Sequence, residues 1–200
     1  MNLGVVVSLH KEMADYFDSL APEWGNRPSK YGIREKLTAM MKLPPGSVIA
    51  DIGCGKGVMF DHLLRTNPAK LIAVDISGEM LRSAQNLFSD SRIEYINEDF
   101  FDARLPMIDA AVLFNSYPHF LDKGALAQKL AQVINGGGML VIAHSRGKSE
   151  INGGHQGEGV AELSAPLEDA EAEADKFGRY FKPDVLIDND EIYFIKMLRK

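Results

Sequence analysis

The chain has 200 residues, 46% of them hydrophobic and 25% charged, with a formal net charge of −6. This length and composition suit one globular domain with a sizeable core. The acidic balance argues against a nucleic-acid surface, which carries a basic patch, although a local patch would be compatible with it.

Leu3 to Leu9 is apolar but short and lacks a basic leader, so neither a signal peptide nor a membrane span is expected. Met13, Tyr16, Phe17 and Leu20 recur at helical spacing over Lys11–Leu20. Pro22, Gly25 and Pro28 break the chain, and a second helix is expected from about Tyr31 to Lys42, before Pro44-Pro45-Gly46. The single Cys54 rules out an intramolecular disulfide framework and suits a reducing compartment, so a cytoplasmic location is expected.

From Ser47 onward strands alternate with helices. Expected strands are 48–52, 71–75, 93–97, 108–114 and 139–144; expected helices are 58–66, 78–88 and 123–134. This alternation predicts a parallel sheet with crossover helices, and the nearly continuous apolar runs fit strands buried on both faces. Gly136-Gly137-Gly138 is expected to end one helix and admit the next strand. His144 to His155 is polar and Gly-rich and is expected to form a long loop, either a solvated one with one or two substrate contacts or one in which Arg146 and Lys148 hold an anionic substrate group. Leu167, Ala170, Ala174 and Phe177 form a helical stripe stopped by Gly178. Segments 184–187 and 191–198 flank Asp188-Asn189-Asp190, a hairpin signal.

The most informative segment is Asp51-Ile52-Gly53-Cys54-Gly55-Lys56-Gly57, which closes the first strand and opens a helix. Glycines there let the backbone turn tightly and let a ligand approach closely. The dinucleotide fingerprint is G-x-G-x-x-G, whereas this spacing is G-x-G-x-G, and Asp51 would repel a pyrophosphate. Asp75 ends the next apolar run, where an acidic residue accepts hydrogen bonds from ribose hydroxyls. A ribose joined to a cationic amino-acid tail describes S-adenosylmethionine (SAM).

Asp51–Gly57, Val74-Asp75-Ile76-Ser77 and Asn97-Glu98-Asp99-Phe100 together resemble three successive motifs of the class I SAM-dependent methyltransferases, over about Val48 to Lys200. The resemblance implies a Rossmann-like, doubly wound, seven-stranded and mostly parallel α/β sheet ending in an antiparallel hairpin. It divides a single domain, 1–200, into a helical leader or lid (1–45) and a core (46–200). In similar enzymes such a leader packs over the cofactor; here it equally suits a plain cover for one sheet face. The resemblance also implies that Gly53 and Gly55 approach the methionine tail, that Asp51 orients its ammonium, that Asp75 holds the ribose and that Ile76 packs on the adenine. Asp99 would accept from the adenine amine with Phe100 stacking nearby, or else only build a turn. Met80 would face the adenine or lie in the core.

On the acceptor side, Asn115 is expected beside the methionine tail, and Ser116-Tyr117 interrupts the Asn-Pro-Pro-Tyr pattern of amino-directed nucleic-acid methyltransferases. His119 is the candidate catalytic base, since its unperturbed pKa of about 6.5 suits proton transfer; the alternative is a histidine bonded to the loop backbone. Trp24, Tyr16 and Tyr31 either wall the pocket or pack the leader. His119, His144 and His155 match no metal spacing, and no metal is expected. The expected function is methyl transfer from SAM to a small molecule, releasing S-adenosylhomocysteine (SAH), with no nucleic-acid or membrane partner. A non-catalytic SAM-binding regulator and an RNA methyltransferase are the alternatives.

Overall fold

The computed structural model describes residues 3–24, 32–154 and 161–200. The expected roles of Tyr31 and His155 fall outside these residues. The sheet strands are β1 (Val48–Ile52), β2 (Lys70–Asp75), β3 (Ile93–Asn97), β4 (Ile108–Phe114), β5 (Ile134–His144), β6 (Phe181–Asp188) and β7 (Tyr193–Arg199). They form one seven-stranded sheet in the order β3-β2-β1-β4-β5-β7-β6. The first five run parallel; β7 is antiparallel to both β5 and β6. The helices are α1 (Leu3–Leu20), α2 (Ile33–Met41), α3 (Phe60–Leu64), α4 (Gly78–Leu87), α5 (Lys123–Val133), α6 (Lys148–Gly154) and α7 (Ala170–Asp175). Among the described residues no helix is long and apolar enough to cross a membrane.

Adjacent strand residues point to opposite faces, and the core divides accordingly. Ala50, Ile52, Ile72, Val74 and Leu113 pack with Leu126 and Leu130 of α5 and Ala174 of α7 on one face. Ile49, Leu71, Ala73 and Val112 pack with Leu37 of α2, Phe60 of α3 and Leu81 of α4 on the other. The chain leaves β1 toward β2 and β3, then returns to β4 on β1's other flank. That reversal opens a crevice at the carboxyl ends of β1 and β4, where ligands of open α/β sheets lie.

Three local expectations are corrected. The glycine run does not cap a helix: α5 ends at Val133, with the Ile134 N–H donating to Leu130 O, and the glycines lie inside β5. There the register jumps from Ile108↔Ile134 to Ala110↔Met139, and a Cβ on Gly138 would lie 2.8 Å from Asp109 O, so these glycines build a bulge. The expected 144–155 loop instead carries α6. Ile151 is buried, and the Asn152 side chain bonds Leu167 through both its amide groups, Nδ2 to Leu167 O at 3.0 Å and Oδ1 from Leu167 N at 2.8 Å. Long-range anchoring thus overrides a Gly-rich sequence. The leader helix also starts earlier than expected and includes the apolar Leu3–Leu9 run.

Candidate active site

Asp51 sits near the end of β1, 1% exposed, and neither carboxylate oxygen has a hydrogen-bond partner among the described residues. Burial, with the neighbouring Asp75 charge second, pushes its pKa up to about 7. Gly53 follows at φ 68°. A Cβ there would lie 2.6 Å from the Ser116 Cβ, and Ser116 Oγ donates to Ile52 O at 2.7 Å. The first glycine therefore lets the β4 loop close against the end of β1.

The second glycine is tied to the second carboxylate. Gly55 N donates to Asp75 Oδ2 at 2.7 Å, and Ser77 N donates to Asp75 Oδ1 at 2.9 Å. Burial raises the Asp75 pKa to about 6, against the lowering effect of those two bonds. Asn97 Nδ2 donates to Asp75 O at 3.0 Å and Ile76 O at 3.1 Å, which holds the turn carrying half-buried Ile76. Asn97 was legible only as a motif residue, because its role is to bond a neighbouring strand's backbone. Ser77 caps α4 by accepting from Met80 N at 3.1 Å, and Met80 is buried in the first helical turn.

Asp99 builds a turn and also faces the leader. Its Oδ1 accepts from Phe101 N at 2.7 Å, while Oδ2 lies 3.2 Å from His10 Nδ1 of α1. Burial raises its pKa. Phe100, the expected stacking ring, is buried in the core cluster with α5. The half-buried Phe101 instead lies alongside His10, with ring planes 14° apart. This is a correction: at a turn, neighbouring aromatics point to different sides, and sequence alone did not say which one the core would take.

Asn115 has φ 56°, and its side chain is engaged by the end of β5, accepting from Ser145 N at 3.1 Å and donating to Ser145 Oγ at 3.3 Å. His119 closes a 3-10 turn, Tyr117–His119. Its Nδ1 lies 2.9 Å from Leu163 O; a carbonyl only accepts, so Nδ1 carries a proton. The bond the backbone reading expected is therefore present. The Phe17 ring of α1 meets the His119 ring edge-to-face at 4.9 Å, and Trp24 packs against Phe17 at 6.0 Å.

The His119 turn is held from behind. Tyr117 is buried and donates to Oε2 of fully buried Glu173 on α7 at 2.5 Å. Lys123 Nζ donates to Tyr117 O at 2.7 Å, and burial lowers its pKa to about 8. Nothing in the sequence signals this network, which joins residues 56 positions apart. Arg146 and Lys148, expected to hold an anion, are paired with Glu150 and with Asp169 and Asp188. His144 is buried on β5 against Tyr193.

Comparison with known proteins agrees with this geometry. Residues 49–138 match the family model of the methyltransferase domain. An uncharacterized methyltransferase of Mycobacterium tuberculosis is 33% identical over 108 residues, covering 53% of this chain and 54% of its own. The malonyl-[acyl-carrier protein] O-methyltransferase of Acetivibrio thermocellus is 32% identical over 97 residues, covering 48% and 34%. The chain thus spans about half the length, or less, of these two relatives. Among solved structures, a methyltransferase of Haloferax volcanii in complex with the Trm112 activator superposes with a TM-score of 0.76 at 15% identity, covering 92% of this chain and 97% of its own. The match over residues 49–138 and a sheet of the same Rossmann-like kind as in solved SAM-dependent methyltransferases support a class I SAM-dependent methyltransferase domain in this chain.

Proposed function

We propose that the chain transfers a methyl group from SAM to a small-molecule acceptor and releases SAH. The observation that carries this reading is the Asp51 carboxylate, buried beside the glycine turn with no hydrogen-bond partner among the described residues. An unpaired buried charge costs several kcal/mol. A ligand ammonium is a partner of the right sign, whereas a pyrophosphate is not.

Asp51 would hold that ammonium, and the Gly53–Gly55 backbone would line the methionine tail. Each Asp75 oxygen accepts one backbone N–H, which leaves lone pairs for ribose hydroxyls. Ile76 and Met80 would border the adenine, and Asp99 Oδ2 would accept from its amine. Phe101 takes over the ring role first given to Phe100. Asn115, held on Ser145, would border the tail from the β4 side. When bound, SAM supplies a methyl group on a sulfonium, an electrophile that is already activated. The chain's own task is to align the acceptor and exclude water, which can supply roughly 7–11 kcal/mol of the barrier. An acceptor that arrives protonated would lose its proton to His119. The relatives named for malonyl-[acyl-carrier protein] O-methylation and for ubiquinone biosynthesis O-methylation support an oxygen acceptor.

A macromolecular acceptor is the second reading, favoured by the Haloferax volcanii neighbour's complex with an activator protein; the net charge of −6 speaks against RNA. Calorimetric titration with SAH, SAM and NAD tests the cofactor assignment. Saturable binding of the first two with none of NAD is expected; NAD binding, or no binding at all, would overturn it. Methyl transfer from labelled SAM to RNA, but to no small hydroxyl compound, would replace the acceptor class.

A further inference from the structure

One group assigned above to the adenosine half of the cofactor, Asp99, is already met by the leader, which also bonds the turn after Asp75. His10 places Nδ1 3.2 Å from Asp99 Oδ2, and its ring lies parallel to Phe101 with centroids 6.5 Å apart. A flat nitrogen heterocycle turned on the Asp99 carboxylate beside an aromatic ring meets the same demands as an adenine. Asp18 Oδ1 accepts from Ser77 Oγ at 2.5 Å and from Glu79 N at 3.0 Å, which binds α1 to the first turn of α4, next to Asp75. After α1 comes a 3-10 turn, Ala21–Glu23, and then Trp24, whose indole nitrogen lies 3.7 Å from where a Cβ on Gly55 would stand. From His10 to Trp24 these contacts follow the site from its Asp99 end to the glycine turn. Two surface cavities, of about 760 and 370 Å³, lie elsewhere and touch none of Asp51, Asp75 or Asp99.

We propose that α1 and its following turn are an internal competitor for the cofactor. His10 stands at the adenine position, Asp18 latches the helix to α4, and the leader must withdraw before the cofactor binds. This rests on the SAM reading of the site. The polar contacts, His10 on Asp99 and Asp18 on Ser77 and Glu79, are few and partly exposed, the His10 side chain to 30%. Such a segment docks and releases more readily than one seated in the core. A ligand that needs the open state has its apparent affinity reduced by the open fraction, so loosening the leader should tighten binding.

The test is SAH binding to the full chain and to its His10→Ala and Asp18→Ala variants, by calorimetry and by emission of Trp24, the single tryptophan. Loss of one net hydrogen bond from the closed state should make SAH bind about two- to tenfold more tightly in each variant. Trp24 emission should shift as SAH saturates the wild-type protein. A single cooperative thermal transition of the ligand-free Asp18→Ala protein keeps the comparison interpretable should His10→Ala unfold. Equal or weaker SAH binding by both variants, or no emission change at saturation, overturns the proposal and leaves the SAM assignment standing. Failure of wild type and both variants alike to bind SAH overturns the SAM assignment itself.

Discussion

Replacing Asp51 by Asn should stabilise the ligand-free protein at alkaline pH while weakening its hold on SAH. The Asp51 pKa is about 7 in the fold, against 3.8 for an aspartate free in water. A raised carboxylate pKa means that the folded state keeps a proton which the unfolded state releases between those values. Folding stability attributable to this group is therefore fully present at low pH and is lost as pH rises through 7. Two pH units of a one-proton difference, from pH 5 to 7, amount to about 3 kcal/mol. Asn cannot ionise, and at low pH it replaces a carboxyl that is neutral in both states. The two proteins should thus match only near pH 3, below both values, whereas the variant should be ahead by about 1.5 kcal/mol at pH 5 and about 4 kcal/mol at pH 8. In a 200-residue protein each kcal/mol moves the melting temperature by about 2–4 °C. SAH affinity should fall about 10- to 150-fold, the worth of a hydrogen bond to a charged group. Urea unfolding at pH 5 and pH 8, paired with calorimetry, measures both effects. Parallel pH–stability curves for the two proteins would refute the claim that Asp51 is buried without a partner.

Other predictions follow from the same geometry. SAH binding near pH 6.5 should release protons as Asp51 ionises against the ammonium, and affinity should fall toward tenfold per pH unit below 7; titration in two buffers of different ionisation enthalpy reads this, and a buffer-independent heat counts against it. Gly53→Ala combines φ 68° with a 2.6 Å overlap on Ser116, so a loss of about 2–4 kcal/mol is expected in denaturant unfolding, partly recovered by adding Ser116→Gly. Tyr117→Phe leaves the buried Glu173 short of a donor and should cost about 1–3 kcal/mol with SAH affinity unchanged; a large affinity loss would mean that the network reaches the cofactor side.

Strands β1, β3 and β4 were readable to the residue, because each is a short run rich in apolar or β-branched residues that ends at a polar residue or glycine. The hairpin turn was readable too: Asn189 Oδ1 accepts from Glu191 N and Ile192 N, local chemistry that the Asp188-Asn189-Asp190 triplet advertises. Legibility was poorer where a residue's role depends on a distant partner. Gly136–Gly138 looked like a helix stop, but Gly138 is needed because Asp109 O of β4 lies against it. Asn152 looked like loop filler, but it pairs with the Leu167 backbone and so seats α6.

The chain's own order of apolar runs, glycines and strand-end carboxylates determined the sheet, its switch point and the candidate cofactor side of the site, since those features arise from periodicity and turn geometry within a few residues. Only the tertiary structure decided that Asp51 lacks a hydrogen-bond partner among the described residues, that Phe101 rather than Phe100 lies beside His10, that Glu173 backs the His119 turn and that α1 and the turn after it reach Asp99, Ser77 and Gly55. Each of those depends on which groups the folded chain brings within hydrogen-bond or van der Waals reach across tens of residues, as with the 59 positions between Asp18 and Ser77, and no local sequence pattern encodes that distance.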